Sequence, residues 1–269
     1  MLLATWEAAY RLVQWKPWVF PAPSHVLDAT LSMLNVRSAF GDPVGPGWPW
    51  PKGAVPTRAA QPWYRGELVE ALGVSAVRLV VGFAISIVLG TLLGLLMWRF
   101  RPFDDFIGPV CLGLQTLPSV CWVPLAVIRF GLNEKGILFV IVMGSVFAVA
   151  IALRDGLKTI PPLYQRAGLM MGARGWKLYR YVLLPASLPA MTSSLRQGFA
   201  FAWRSLLGAE LILVVARHGI GFLLEMGRNF SDSAQIVAVM IIMVMVGMAV
   251  DRWVFAKLQK RVHARFGLA

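Results

Sequence analysis

Three ionisable residues stand within or at the edge of stretches otherwise built from Leu, Val, Ile, Phe and Ala: Arg78, Arg204 and Glu210. A charge among apolar neighbours is costly and is kept where it faces a cavity, a partner charge or a passing ion. Arg204 reads first as an interhelical pairing or gating residue, and Arg78 as snorkelling to the outer interface. Six residues separate Arg204 from Glu210, about 240° around a helix, so the two do not pair along one face. His25, His218 and His263 lie in different segments and match no metal-ligand spacing. Cys111 and Cys121 are ten residues apart, about 280° around a helix, and imply no disulfide. No Gly-Lys dipeptide occurs, so no phosphate-binding loop of the G-x-x-x-x-G-K-[ST] type exists. Neither a metal nor a cofactor is expected, nor an enzyme with chemistry of its own.

The elements that hold these residues follow from apolarity. Of 269 residues, 58% are hydrophobic and 14% charged, with mean hydropathy +0.66, outside the range of a soluble domain this size. A bilayer core about 30 Å thick needs roughly 20 apolar residues per helix. Five runs meet that length: Val74 to Met97, Phe106 to Val127, Gly136 to Leu153, Leu195 to Val215 and Ile236 to Val254. The third is the shortest and can lengthen at either end. Alternating ten-residue strands are missing, so an all-α transmembrane bundle is expected rather than a barrel. Pro118 and Pro124 are expected to kink the second span, and Gly90 with Gly94 offers a close-packing face within the chain or toward a second copy.

A formal charge of +13 on such a chain reflects Lys and Arg retained on the inner side rather than nucleic-acid binding. Arg99 and Arg101 follow the first run. Arg154, Lys158, Arg166, Arg174, Lys177, Arg180 and Arg196 follow the third, and Arg252, Lys257, Lys260, Arg261 and Arg265 follow the fifth. These loops and the C-terminus are expected in the cytoplasm, and the segment up to about Leu72 outside. That segment divides from the membrane portion near residue 66. Met1 to Trp15 reads as the end of a helix, Val26 to Phe40 as a short amphipathic helix along the interface, and Gly41 to Tyr64, with its prolines and tryptophans, as an irregular Trp-anchored loop.

The inner loop, 154–194, is long and patterned. Pro161 and Pro162 suit a helix start, with Leu163 to Met171 helical before "GARG" breaks it. A second helix, Gly175 to Leu184, sets Trp176, Tyr179 and Leu183 on one face, and Pro185 ends it.

This arrangement resembles the cytoplasmic "EAA" loop of binding-protein-dependent ABC transporter permeases: an acidic-Ala-Ala triplet, three residues, Gly, nine residues, an aliphatic residue, one more, then Leu-Pro. Gly172, Val182, Leu184 and Pro185 keep that spacing, whereas the triplet reads Arg166, Ala167, Gly168, with a cation at the acidic position. Ala167, Gly168, Gly172 and Ala173 keep a small-residue surface. From Phe20 onward "FPAPSHVL", "SAVRLVVGF", "LQTLPSVCWVPLAVIRFGLNE", "AWRSLLGAEL" and "GIGFLL" follow in order, similar to the nitrate, sulfonate, taurine and bicarbonate branch. Members of that branch usually carry a full span ahead of the first of these pieces, and this chain is expected to begin in its last turns.

The resemblance implies a permease of the type I ABC importer kind, with five full spans here plus a partial N-terminal helix. It further implies transport of a small anion, separate subunits that bind ATP, an external solute-binding protein, a second permease copy, surrounding lipid, and residence in a bacterial inner membrane. The loop would be the coupling element to the ATPase, and Pro118, Arg204 and Glu210 the pathway candidates. An ion-coupled carrier or channel is the alternative; it needs an inverted repeat or clustered buried carboxylates, and apart from Glu210 the runs hold neither.

Overall fold

The computed structural model describes residues 5–7, 9–10, 21–34, 67–213, 215 and 217–265. The Gly41 to Tyr64 loop lies outside the described residues, as does most of the segment before Pro21. The described residues form helices and contain no strand: α1 (Pro23–Met33), α2 (Glu67–Arg99), α3 (Arg101–Thr116), α4 (Val123–Phe130), α5 (Glu134–Lys158), α6 (Pro162–Met170), α7 (Leu184–Ile212), α8 (Ile220–Asn229), α9 (Ser233–Val250) and α10 (Ala256–Arg265).

Among the described residues three helical stretches are long and apolar enough to cross a membrane: α2, α5, and Ser233–Val262, which runs from α9 through a π turn at Asp251–Phe255 into α10. The expected runs from Val74, Gly136 and Ile236 fall inside them, the third having lengthened at both ends. Two other expectations are corrected. The Phe106 to Val127 run is not one kinked span: α3 and the helical stretch Ser119–Phe130 are bent by 102° across the break at Leu117 and Pro118. Pro118 lacks an N–H, and Leu117 before it is forced to extended geometry, φ −65° and ψ 130°. Of the Leu195 to Val215 run, the part up to Ile212 lies in α7, which ends there and does not reach span-like apolarity, because it carries Arg196, Gln197, Arg204 and Glu210. Among the described residues, three helices are therefore long and apolar enough to span, or four with the bent pair, instead of five.

The chain divides into two units. One comprises Met1–Val77 with Glu210–Met245, the other Arg78–Ala209 with Val246–Ala269. In the larger unit α5 forms the centre, with Ile137, Val140, Ile141 and Ala150 fully buried. A stripe on α2 recurring every fourth residue meets it: a side chain at Gly90 or Gly94 would begin 2.8 Å from the Val146 carbonyl oxygen or 2.7 Å from that of Ala150. Between Gly82 and Gly90 the Ser86 and Ser145 hydroxyl oxygens lie 2.7 Å apart. The Gly90/Gly94 face thus packs within the chain, by the close backbone approach that small residues permit. Met97, Cys111, Ala150 and Ile151 close a cluster of α2, α3 and α5. Both cysteines are free.

In the smaller unit α8 is the ordering element. Its first turn carries no cap from its own N-cap residue, Gly219, and is satisfied from elsewhere in the chain.

Candidate coupling loop and pathway residues

The loop that follows α5 begins as its spacing suggests. Pro162 occupies the first turn of α6, where a missing N–H costs nothing. The helix ends in a paired backbone turn: the Gly172 amide donates to the Leu169 carbonyl and the Ala173 amide to that of Gly168, both at 3.0 Å. Gly172 sits at φ +82°, a left-handed conformation that glycine adopts without a Cβ penalty.

The small residues of this helix divide their work. Gly168 is buried, and a side chain there would begin 2.6 Å from Leu178 Cδ1 and 3.0 Å from Val182 Cγ2. Its small size serves packing of α6 on the following segment, so the small-residue surface is in part internal. Val182 is half-buried against it, and Ala167 and Ala173 are half-buried too. What α6 and its C-cap residue turn outward is apolar and large: Leu163 is 71% exposed, Met170 82% and Met171 87%, with Arg166 exposed between the first two.

The second loop helix departs from expectation. Trp176–Leu178 is one α turn, Tyr179–Leu183 is a π turn, and α7 starts at Leu184 and continues through Pro185 and Pro189. Pro185 therefore does not end a helix. The wider π turn before it moves the backbone with which the ring would clash, so the helix absorbs the proline. Leu184 and Pro185 form the first turn of a 29-residue helix instead of a stop.

At the base of the loop the structure assembles a cluster that sequence spacing did not announce. Asp104 on α3, 9% exposed at its side chain, accepts from Arg154 Nη1 at 3.0 Å and from Lys158 Nζ. Arg154 also donates to Asp155 at 2.8 Å. Arg154 and Lys158 are one turn apart on α5, so both reach the same carboxylate. Fifty positions separate Asp104 from Arg154; the only sequence signal was the Asp104-Asp105 pair near the start of α3.

Arg78 does not snorkel. It is 4% exposed and grips Glu134 through Nε and Nη2 at 2.7 and 2.6 Å, a planar two-point pairing between α2 and the first turn of α5. Arg196 is held the same way by Asp251, at 2.6 and 2.7 Å.

The three pathway candidates occupy different settings. Pro118 precedes the tight turn Ser119–Trp122. That turn lies against α5 and α7 at two glycines: a side chain at Gly144 would run into the Ser205 hydroxyl and begin 3.3 Å from Ser119 Cβ, and one at Gly208 would meet Val120 Cγ2 at 3.3 Å. Arg204 is exposed, donates from Nε to the Ala200 carbonyl at 3.2 Å, and lies with Cζ 4.6 Å from the Phe201 ring centre. Glu210 is 2% exposed and takes the Ser75 hydroxyl at 2.7 Å and the Gly221 amide at 3.1 Å, while the Ile220 amide donates to Ser75 Oγ at 2.9 Å. The carboxylate thereby meets the positive end of α8. Gly219 is required beside it, since any side chain would collide with the carboxylate.

Comparison with known proteins bears on this geometry. The family described as "Binding-protein-dependent transport system inner membrane component" matches residues 86–264, about two thirds of the chain. A putative ABC transporter permease protein from Methanocaldococcus jannaschii is 31% identical over 187 residues, covering 70% of each chain. A nitrate import permease protein from Synechocystis is 27% identical over 180 residues, covering 67% of this chain and 65% of its own. Among solved structures, a chain of the MetNI methionine ABC transporter shares the fold, with TM-score 0.61 at 16% identity over 72% of this chain and 95% of that one. The matched span runs from α2 to α10 and takes in the whole segment 154–194, and on that extent the chain belongs to the inner-membrane permease components of binding-protein-dependent ABC transport systems.

Proposed function

We propose that this chain lines the translocation pathway of an ATP-driven importer for a small anion and receives its driving motion from a separate ATPase through the loop 154–194. The observation that carries the proposal is the division of faces on α6. Gly168 locks one side to Leu178 and Val182, and Leu163, Met170 and Met171 are left outward. An apolar ridge on a short helix, rigidly capped by Gly172, suits a groove on a partner and moves as one body when that partner moves. The density of Lys and Arg in and around the loop supports a cytoplasmic position.

Anion transport rests on a relative named for nitrate import and on exposed Arg204, a fixed cation beside the Phe201 ring. Selection among anions would fall mainly to an external binding protein, with two permease copies forming one pathway. ATP belongs to the partner subunits. Alternation between inward- and outward-open states would follow closure of the ATPase pair.

The test is reconstitution of the chain in liposomes with candidate ABC ATPase and solute-binding subunits of the same organism, reading ATP hydrolysis against nitrate, bicarbonate and sulfonates. Stimulation by at least one anion is expected. Gly172→Trp, whose Cβ would meet nothing within 4 Å but which strains a backbone at φ +82°, should abolish ATPase association and leave membrane insertion unchanged. Failure of the unaltered chain to associate with the ATPase would sink the proposal.

A further inference from the structure

On α6, Leu163, Arg166 and Met170 follow at i, i+3 and i+7 and form one stripe. Arg166 is thus an exposed cation set between two exposed apolar side chains, and it makes no hydrogen bond or ion pair to the described residues. The stripe cannot turn inward, because Gly168 on the other side is in contact with Leu178 and Val182. The loop offers Arg166 no counter-charge either. Between Gly156 and Ala209 there is no Asp or Glu, whereas Lys158, Arg174, Lys177, Arg180, Arg196 and Arg204 all fall there.

A partner that covers Leu163 and Met170 must also cover Arg166. Taking a guanidinium out of water without a counter-charge cancels the gain from burying two apolar side chains. We propose that the groove of the ATPase subunit that receives α6 is apolar at its floor and carries a carboxylate opposite Arg166, which pairs with it through two parallel N–H···O bonds. This rests on the reading of the loop as the ATPase-docking element. The remaining cations, Arg174, Lys177 and Arg180, give the complementary surface an acidic rim, so encounter is steered by charge. An anionic membrane surface is the competing occupant for a basic, apolar helix, and the stripe argues against it. Interfacial helices keep their cations on the flanks, while here the cation sits in the middle of the apolar stripe, where it would be drawn deepest.

The experiment uses the full chain in lipid nanodiscs with the ATPase subunit of the same organism that associates with it, measuring affinity for wild type, Arg166→Gln, Arg166→Glu and Met170→Asp, together with ATPase variants in which each groove Asp or Glu is changed to Arg. Thermal unfolding checks that these exposed positions leave the fold intact. Arg166→Gln should weaken association about 10-fold and Arg166→Glu about 100-fold or more, and one ATPase reversal should restore the Arg166→Glu variant. Wild-type affinity should fall as salt rises. Unchanged affinity for Arg166→Glu with loss for Met170→Asp overturns the carboxylate and leaves the docking reading standing. Unchanged affinity for both variants removes the docking reading as well. Lost binding to phosphatidylglycerol vesicles with ATPase affinity intact, or failure of every reversal to rescue, also overturns the inference.

Discussion

Asp104 Oδ1 lies 3.0 Å from Arg154 Nη1, and this contact ties α3 to the last two turns of α5, just ahead of α6. Arg154 is 17% exposed and retains Asp155 as a second partner, so it is not stranded when Asp104 is removed. Asp104→Asn is expected to cost about 1–3 kcal/mol, read as a lowered midpoint of thermal unfolding in detergent. It should also reduce anion-stimulated ATP hydrolysis more than basal hydrolysis. An unchanged ratio would mean that the cluster only holds the helices together.

The α2 stripe provides a paired comparison. Gly94→Val places a side chain 2.7 Å from the Ala150 carbonyl oxygen, against backbone that cannot yield, and should cost about 3 kcal/mol or abolish folded protein. Gly113 on α3 has nothing within 4 Å, so Gly113→Ala should stabilise by about 0.5–1 kcal/mol through reduced backbone freedom. Comparable losses at the two positions in thermal unfolding would contradict the helix packing described.

Glu210 and Ser75 act on the same helix terminus. Glu210→Ala leaves the Gly221 amide and the Ser75 hydroxyl without this acceptor, an expected loss of about 2–3 kcal/mol, and Ser75→Ala an expected loss of about 1–2 kcal/mol. Because the two share partners, the double variant should lose less than the sum. Strict additivity in a double-mutant cycle would show that the network does not hold α8.

Arg204 is exposed, so its replacement should spare stability and change transport. Arg204→Gln is expected to raise the anion concentration giving half-maximal uptake several-fold, with Arg204→Lys intermediate because it retains the charge but not the planar fork. Uptake curves in proteoliposomes decide; superimposable curves would remove Arg204 from the pathway.

Much of the helical class and of the loop was legible because it is local. Apolar length marks α2, α5 and the stretch from Ser233, and Pro162 and Gly172 mark the ends of α6, since a proline or a left-handed turn acts on its own backbone. The bend at Pro118 was half legible: a proline announces a disturbance, but whether the helix kinks or breaks depends on what packs beside it, here Gly144 and Gly208. Pro185 misled for the same reason, since a π turn that accommodates the ring leaves no signature in the residues around it.

By itself the sequence determined how apolar the chain is, where its cations gather, and which residues can bend or cap a helix, because these depend on composition and on neighbours within a few positions. Only the tertiary structure decided which charges meet: Arg78 with Glu134, Asp104 with Arg154 and Lys158, Glu210 with Ser75 and α8. It also decided that Gly168 faces inward and Arg166 outward on one helix. Pairing between residues 50 or more positions apart depends on how helices pack, and the same helical spacing permits either face of α6 to be buried until Leu178 and Val182 occupy one of them.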